Sequence, residues 1–231
     1  AQLFSWDATA QRAIAAWHDS LAKTSSAETE SPNLIQVLAG KLGSYDDSQL
    51  AKLAGDLAQN EASGIERQLM LDISELCQHD AASGVQRVVR SYLHHLLNNP
   101  PRGFKVRPVY ATRTDSYRYA SAYTARLLDQ APPQTDDLPI QWQRGDIFFG
   151  LDMQHHVQLA HTGTYARLRQ DGVVVKFLVY DLLPIQLADF FKDNNAKELH
   201  EHWLTMIAAQ DEAICISKAT ADAYADWIAT N

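Results

Sequence analysis

Three short stretches carry residue types and spacings suited to binding or transforming a polar ligand. The first is Asp80-Ala81-Ala82-Ser83-Gly84-Val85-Gln86-Arg87. Gly84 lets a ligand approach the backbone closely. The start of a following helix would present N–H groups with partial positive charge, as a phosphate requires. Arg87, one turn in, adds a charge-assisted donor. The bland alternative is that Asp80 or Ser83 caps the helix and Arg87 is solvated. The second stretch is Gly150-Leu151-Asp152 and the third Tyr180-Asp181-Leu182-Leu183-Pro184. Each sets a carboxylate after an apolar run, and Asp181 must find donors or open solvent there. It would orient a ligand hydroxyl or hold a catalytic loop, against the alternative of capping a neighbouring loop.

These residues have value only if a scaffold brings them together, and the pattern of the chain provides one. From Gln68 onward strand-like and helix-like segments alternate. Strands are predicted over 68–76, 105–111, 146–150, 173–180 and 213–216. Helices are predicted from Val85 to the Asn98-Asn99-Pro100-Pro101 stop, over 117–128, 158–170 and 196–209, and from Ala219 to the end. Val88, Val89, Tyr92, Leu96 and Leu97 recur at helical spacing. VVVKFLVY is apolar almost throughout, as a parallel strand covered on both faces should be. Repeated β–α units imply right-handed crossovers and a Rossmann-like doubly wound parallel sheet of class α/β over 67–231. Ligands of such sheets bind beyond the carboxyl ends of the strands, where all three stretches fall. Ser217 reads as the plain N-cap of the last helix.

Residues 1–66 read differently, as an N-terminal helical extension or linker. A helix capped at Ser5-Trp6-Asp7 is expected, followed by linker composition over KTSSAETESP and two further short helices. As a separate unit they would pack one face on a neighbour without chemistry of their own.

Composition narrows the classes further. The chain has 231 residues, 46% of them apolar, and a formal charge of −8. That balance excludes a general nucleic-acid binder, which depends on clustered Lys and Arg. No run approaches the roughly 18 apolar residues of a membrane span. Cys77 and Cys215 stand far apart in apolar runs and are expected to be reduced thiols, which fits a cytoplasmic setting. The nine histidines include the adjacent pairs His94-His95 and His155-His156, and His200 with His202, but no i, i+4 zinc pattern. No metal site is expected. A nucleophile elbow, a Gly-Lys-Ser/Thr phosphate loop and a full dinucleotide fingerprint are all missing, and the last disfavours a nucleotide-sugar epimerase.

LMLDISELCQHDAASGVQRVVRSYL, VYDLLPIQLADFF and AICISKATADAYADWI, in that order, resemble the N-terminal domain of family-4 glycosyltransferases with two Rossmann-like domains. The likeness is nearest to the bacterial mannosyltransferases, often tandem, of O-antigen and other surface polysaccharides. It runs from about Arg67 to the end. The opening LFSWDATAQRAIAAW looks like the closing helix of such an enzyme, so the chain would join the tail of one module to the first half of the next.

The resemblance implies retaining transfer of a sugar, without metal or cofactor, from a nucleotide-sugar donor such as GDP-mannose to a growing glycan. It places Gly84, Val85, Gln86 and Arg87 near the donor phosphates, Asp152 and Tyr180 on the acceptor side, and Asp181 at the catalytic position. The family often has His-Asp where this chain has Tyr180-Asp181, so no histidine role carries over to Tyr180. The expected partners are a C-terminal donor-binding domain, a glycan acceptor and a peripheral assembly at the inner membrane, with no nucleic acid. Without the donor-binding domain the chain is expected to be inactive. The competing reading is a non-catalytic interaction module, with an apolar groove around Trp6 and Trp17.

Overall fold

The computed structural model describes residues 66–231, apart from 80, 82, 132, 135 and 192–194, together with residue 46. Apart from positions 46 and 66, the expectations for residues 1–66, including those at Trp6 and Trp17, lie outside the described residues.

Strand β1 (Arg67–Asp72) leads into a short helix α1 (Ser74–Gln78) and then α2 (Gly84–Asn98). Strands β2 (Phe104–Tyr110) and β3 (Arg118–Tyr119) precede α3 (Ser121–Leu127). Strand β4 (Ile147–Gly150) is followed by α4 (His155–Ala160) and α5 (Thr162–Gln170). Strand β5 (Val174–Val179) continues into α6 (Leu183–Gln186), a 3-10 turn at Ala188–Phe190, and α7 (Ala196–Ala208). Strand β6 (Glu212–Cys215) and α8 (Lys218–Thr230) complete the unit.

The strands form one six-stranded sheet in the order β3-β2-β1-β4-β5-β6. All neighbours are parallel except β2 and β3, which pair antiparallel through Val109↔Tyr119 and Tyr110↔Arg118. This is the Rossmann-like α/β sheet expected from the alternation of elements, with one added edge strand. The order reverses between β1 and β4, and a crevice opens at such a switch point beyond the carboxyl ends.

One face of the sheet buries Met70, Phe148, Val175, Phe177 and Val179 in one cluster with Tyr165, Leu168, Trp203, Leu204 and Tyr224. The alternate residues Leu69, Leu71 and Phe149 are also buried, on the face that the β1–α2–β2 crossover covers. Lys176, the single charge in β5, is 1% exposed and reaches Glu212 Oε2 of β6 at 2.6 Å.

Several boundaries differ from the sequence reading for local reasons. The strand expected over 68–76 stops at Asp72, because that side chain accepts from the Ser74 N–H and turns the chain into α1. The helix expected over 117–128 shrinks to α3. Tyr117 is buried in the core and Arg118–Tyr119 pair with β2, so propensity yields to tertiary packing. The helix expected over 158–170 begins at His155 and is broken at His161. Ser217 caps α8 as expected, accepting from the Thr220 N–H at 3.1 Å.

Candidate functional site

The switch point is closed from inside by a buried polar network. Asp72, fully buried at the end of β1, accepts from four donors: the Ser74 N–H at 3.0 Å, Ser74 Oγ at 2.5 Å, Tyr117 OH at 2.9 Å and Gln158 Nε2 at 3.1 Å. Because the Tyr117 proton goes to Asp72, the 2.9 Å contact between Tyr117 and Tyr165 has Tyr165 as donor. Gln158 also donates to the Asp152 carbonyl and accepts from Trp203 Nε1 at 2.6 Å. Burial raises the Asp72 carboxyl above its ordinary range, while its hydrogen bonds to Ser74, Gln158 and Tyr117 pull it back.

Asp152 belongs to the same scaffold. It is 1% exposed, and its carboxylate accepts from the N–H groups of Leu76 at 2.7 Å and Met153 at 2.9 Å. Its own N–H donates to the Asp72 carbonyl at 2.9 Å. Burial pushes its carboxyl up to about 7, opposed by the bond from Leu76 and reinforced by the charge of Asp72. Tyr180 is likewise turned inward, its hydroxyl donating to the Leu151 carbonyl at 2.7 Å. These two residues tie β1, β4 and β5 together beneath the rim.

The glycine loop sits on the surface of the rim. Ser83 and Gln86 form a reciprocal cap on α2, with Ser83 Oγ accepting from the Gln86 N–H at 3.2 Å and Gln86 Oε1 from the Ser83 N–H at 3.3 Å. Gln86 Nε2 donates to the His79 carbonyl, so that side chain is spent on fixing the loop. Gly84 and Arg87 are exposed and Val85 is half-buried. The N–H groups of Gly84 and Val85, in the first turn of the helix, have no intrahelical partner. Both readings of the loop therefore meet here: Ser83 caps the helix, and the cap presents its amino end outward.

Asp181 is half-buried just after β5, its Oδ1 accepting from the Leu183 N–H at 3.0 Å. Close by is an arrangement that the sequence reading missed. His200 Nε2 lies 3.1 Å from the Asp181 carbonyl, and His155 Nε2 lies 2.9 Å from His200 Nδ1. Trp203 packs against both rings in tilted geometry. Burial, joined by the charges of His200 and His156, lowers His155 to about 4. From the side of β1, Glu75 Oε2 accepts from Gln154 Nε2 at 2.7 Å. The rim thus gathers Gly84 and Arg87 from the β1 side, Gln154 and His155 after β4, and Asp181 after β5. Nothing in the spacing of His155 and His200, 45 residues apart, announces their meeting.

The thiols of Cys77 and Cys215 are both free and half-buried, and burial pushes them up to about 12 and about 11. Among the described residues, no group of three or more His, Cys, Asp or Glu is arranged to hold a metal ion. No helix among them is long and apolar enough to cross a membrane.

Fold and rim together define a Rossmann-like α/β unit with polar groups gathered around one switch point. No known family profile and no solved structure matches the chain. Curated proteins do. The chain is 31% identical, over 99% of its length, to a serotype-specific mannosyltransferase WbdA from Escherichia coli. Two further Escherichia coli proteins of that name match over the same share at 31% and 30% identity. The chain spans about 27–28% of the length of these relatives. The resemblance read from three motifs is thus met by similarity along nearly the whole chain, residues before Arg67 included.

Proposed function

We propose that this chain is the acceptor-side half of a retaining glycosyltransferase that moves mannose from GDP-mannose to a growing surface polysaccharide. The observation that carries the reading is the 30–31% identity to serotype-specific mannosyltransferases over 99% of the chain. The rim agrees with it. Gly84, Val85 and Arg87 would face the donor phosphates, using the amino end of α2 and one guanidinium. Asp181 would contact the transferring sugar or the acceptor. Asp152 and Tyr180 act beneath, as supports that fix where the rim loops stand. The donor-binding groups come from a second domain outside this chain, so the chain alone transfers nothing. Reaction takes place on the cytoplasmic side, without metal or cofactor, in a peripheral assembly at the inner membrane.

The test is sugar transfer from GDP-mannose to a mannoside acceptor by the full-length protein, in wild type and in Gly84→Trp and Asp181→Ala. Transfer falls by at least ~100-fold in both, with unchanged melting behaviour, as the loss of a positioning contact at the reacting groups predicts. Unchanged transfer in folded variants would make this half a scaffold. That second reading has one observation in its favour: Leu183, Leu187, Phe190 and Phe191 form an exposed apolar segment beside Asp181.

A further inference from the structure

The histidine pair has a direction. A carbonyl oxygen only accepts, so His200 must carry its proton on Nε2 to bond the Asp181 carbonyl at 3.1 Å. A neutral His200 then has a bare Nδ1, which accepts from His155 Nε2 at 2.9 Å. His155 in turn must carry its proton on Nε2, which leaves its own Nδ1 bare. Among the described residues no hydrogen bond reaches that nitrogen, and it is not among the buried polar atoms left without a partner. The ring is half-buried, on the first residue of α4.

We propose that His155 Nδ1 accepts a hydrogen bond from a hydroxyl of the carbohydrate acceptor, and that His200 is the positioning residue that holds His155 in the accepting tautomer. The proposal rests on the reading of this rim as the acceptor side of a glycosyltransferase. Its geometry comes from the switch point. His155 opens the helix that follows β4, the Asp181 carbonyl follows β5, and Gln154, next to His155, is tied to Glu75 from the β1 side at 2.7 Å. Sugar hydroxyls need fixed acceptors as well as donors, and a neutral imidazole whose proton is assigned to one nitrogen is such an acceptor. The rings cannot serve as cations while they remain buried beside each other and against Trp203. The charged or titratable groups facing the pair are His156 on α4 and Asp181 after β5, and neither supplies a competing donor to Nδ1.

Two measurements test this. In the chain itself, imidazole nitrogen NMR at pH 7 should show a protonated Nε2 and a bare Nδ1 on His155. In His200→Phe both tautomers of His155 should appear. The opposite tautomer in wild type overturns the proposal. In the full-length protein, His155→Phe should raise the KM for the glycan acceptor about ten-fold and leave the donor KM unchanged, the effect of one lost hydrogen bond. His155→Asn, which keeps an accepting oxygen near the place of Nδ1, should recover most of that loss. An unchanged acceptor KM in His155→Phe overturns the proposal while leaving the glycosyltransferase reading intact. So does an equal loss in the Asn and Phe variants, which indicates packing alone. A wild-type protein that transfers no sugar from any nucleotide-sugar donor removes the functional reading and the role of His155 with it.

Discussion

The interior of the switch point and its rim use the same residue types in opposite ways. Inside, Asp72, Asp152, Tyr117, Tyr165 and Gln158 are buried and engaged with one another or with the backbone. On the rim, Gly84, Arg87 and Asp181 are exposed or half-buried and lean mainly on local capping bonds. A carboxylate at the carboxyl end of a parallel strand is therefore not by itself a ligand contact. Two of the three such carboxylates here hold loops in place, because a buried charge persists only where donors surround it. The third, Asp181, is half-buried at the rim with one capping bond from the Leu183 N–H.

The comparison breaks most readily at Asp72. Asp72→Ala leaves buried donors from Ser74, Tyr117 and Gln158 unpaired, and should cost about 3–5 kcal/mol in a denaturant titration of the chain. A loss below about 1 kcal/mol would mean that the network is not structural. Gly150→Ala comes next. A Cβ there would collide with the buried Phe177 ring, which must shift, at roughly 1–3 kcal/mol of overpacking. Tyr117→Phe removes one donor to Asp72 and the acceptor for Tyr165, at about 1–2 kcal/mol.

Acidity sharpens the contrast. Asp152 has a raised folded pKa of about 7, so its contribution is full below the unfolded value and is lost as pH rises from about 4 through 7. His155 has a lowered folded pKa of about 4, so its contribution is full above the unfolded value and is lost as pH falls from about 6.5 to 4. Relative to wild type, Asp152→Asn should therefore be more sensitive to acid, and His155→Phe less so, in melting temperatures read across pH 4–7. Parallel pH profiles would refute the assignment of opposite burial costs. The smallest effect on stability belongs to the rim: Asp181→Ala should change it by less than about 1 kcal/mol, since only one exposed capping bond is lost, even as transfer collapses.

Much of this was legible in the chain and some was not. The apolar run of β5, the helical stripe of α2, the Ser83 and Ser217 caps and the alternation of elements all follow from local sequence, because periodicity and capping act over a few residues. So does the placement of Gly84, Asp152 and Asp181 after three of the parallel strands. What sequence could not decide was direction. Asp152 and Tyr180 turn inward and Asp181 stays at the rim, although all three follow apolar strands. The antiparallel β3, the shortened helix after Tyr117 and the His155–His200 pair likewise depend on partners dozens of residues away. Local patterns set which segments become strands and helices. Only the closing of β1 against β4 determined which polar side chains would be enclosed and satisfied and which would be left at the rim, because hydrogen-bond satisfaction at a buried site is a property of the whole packed sheet.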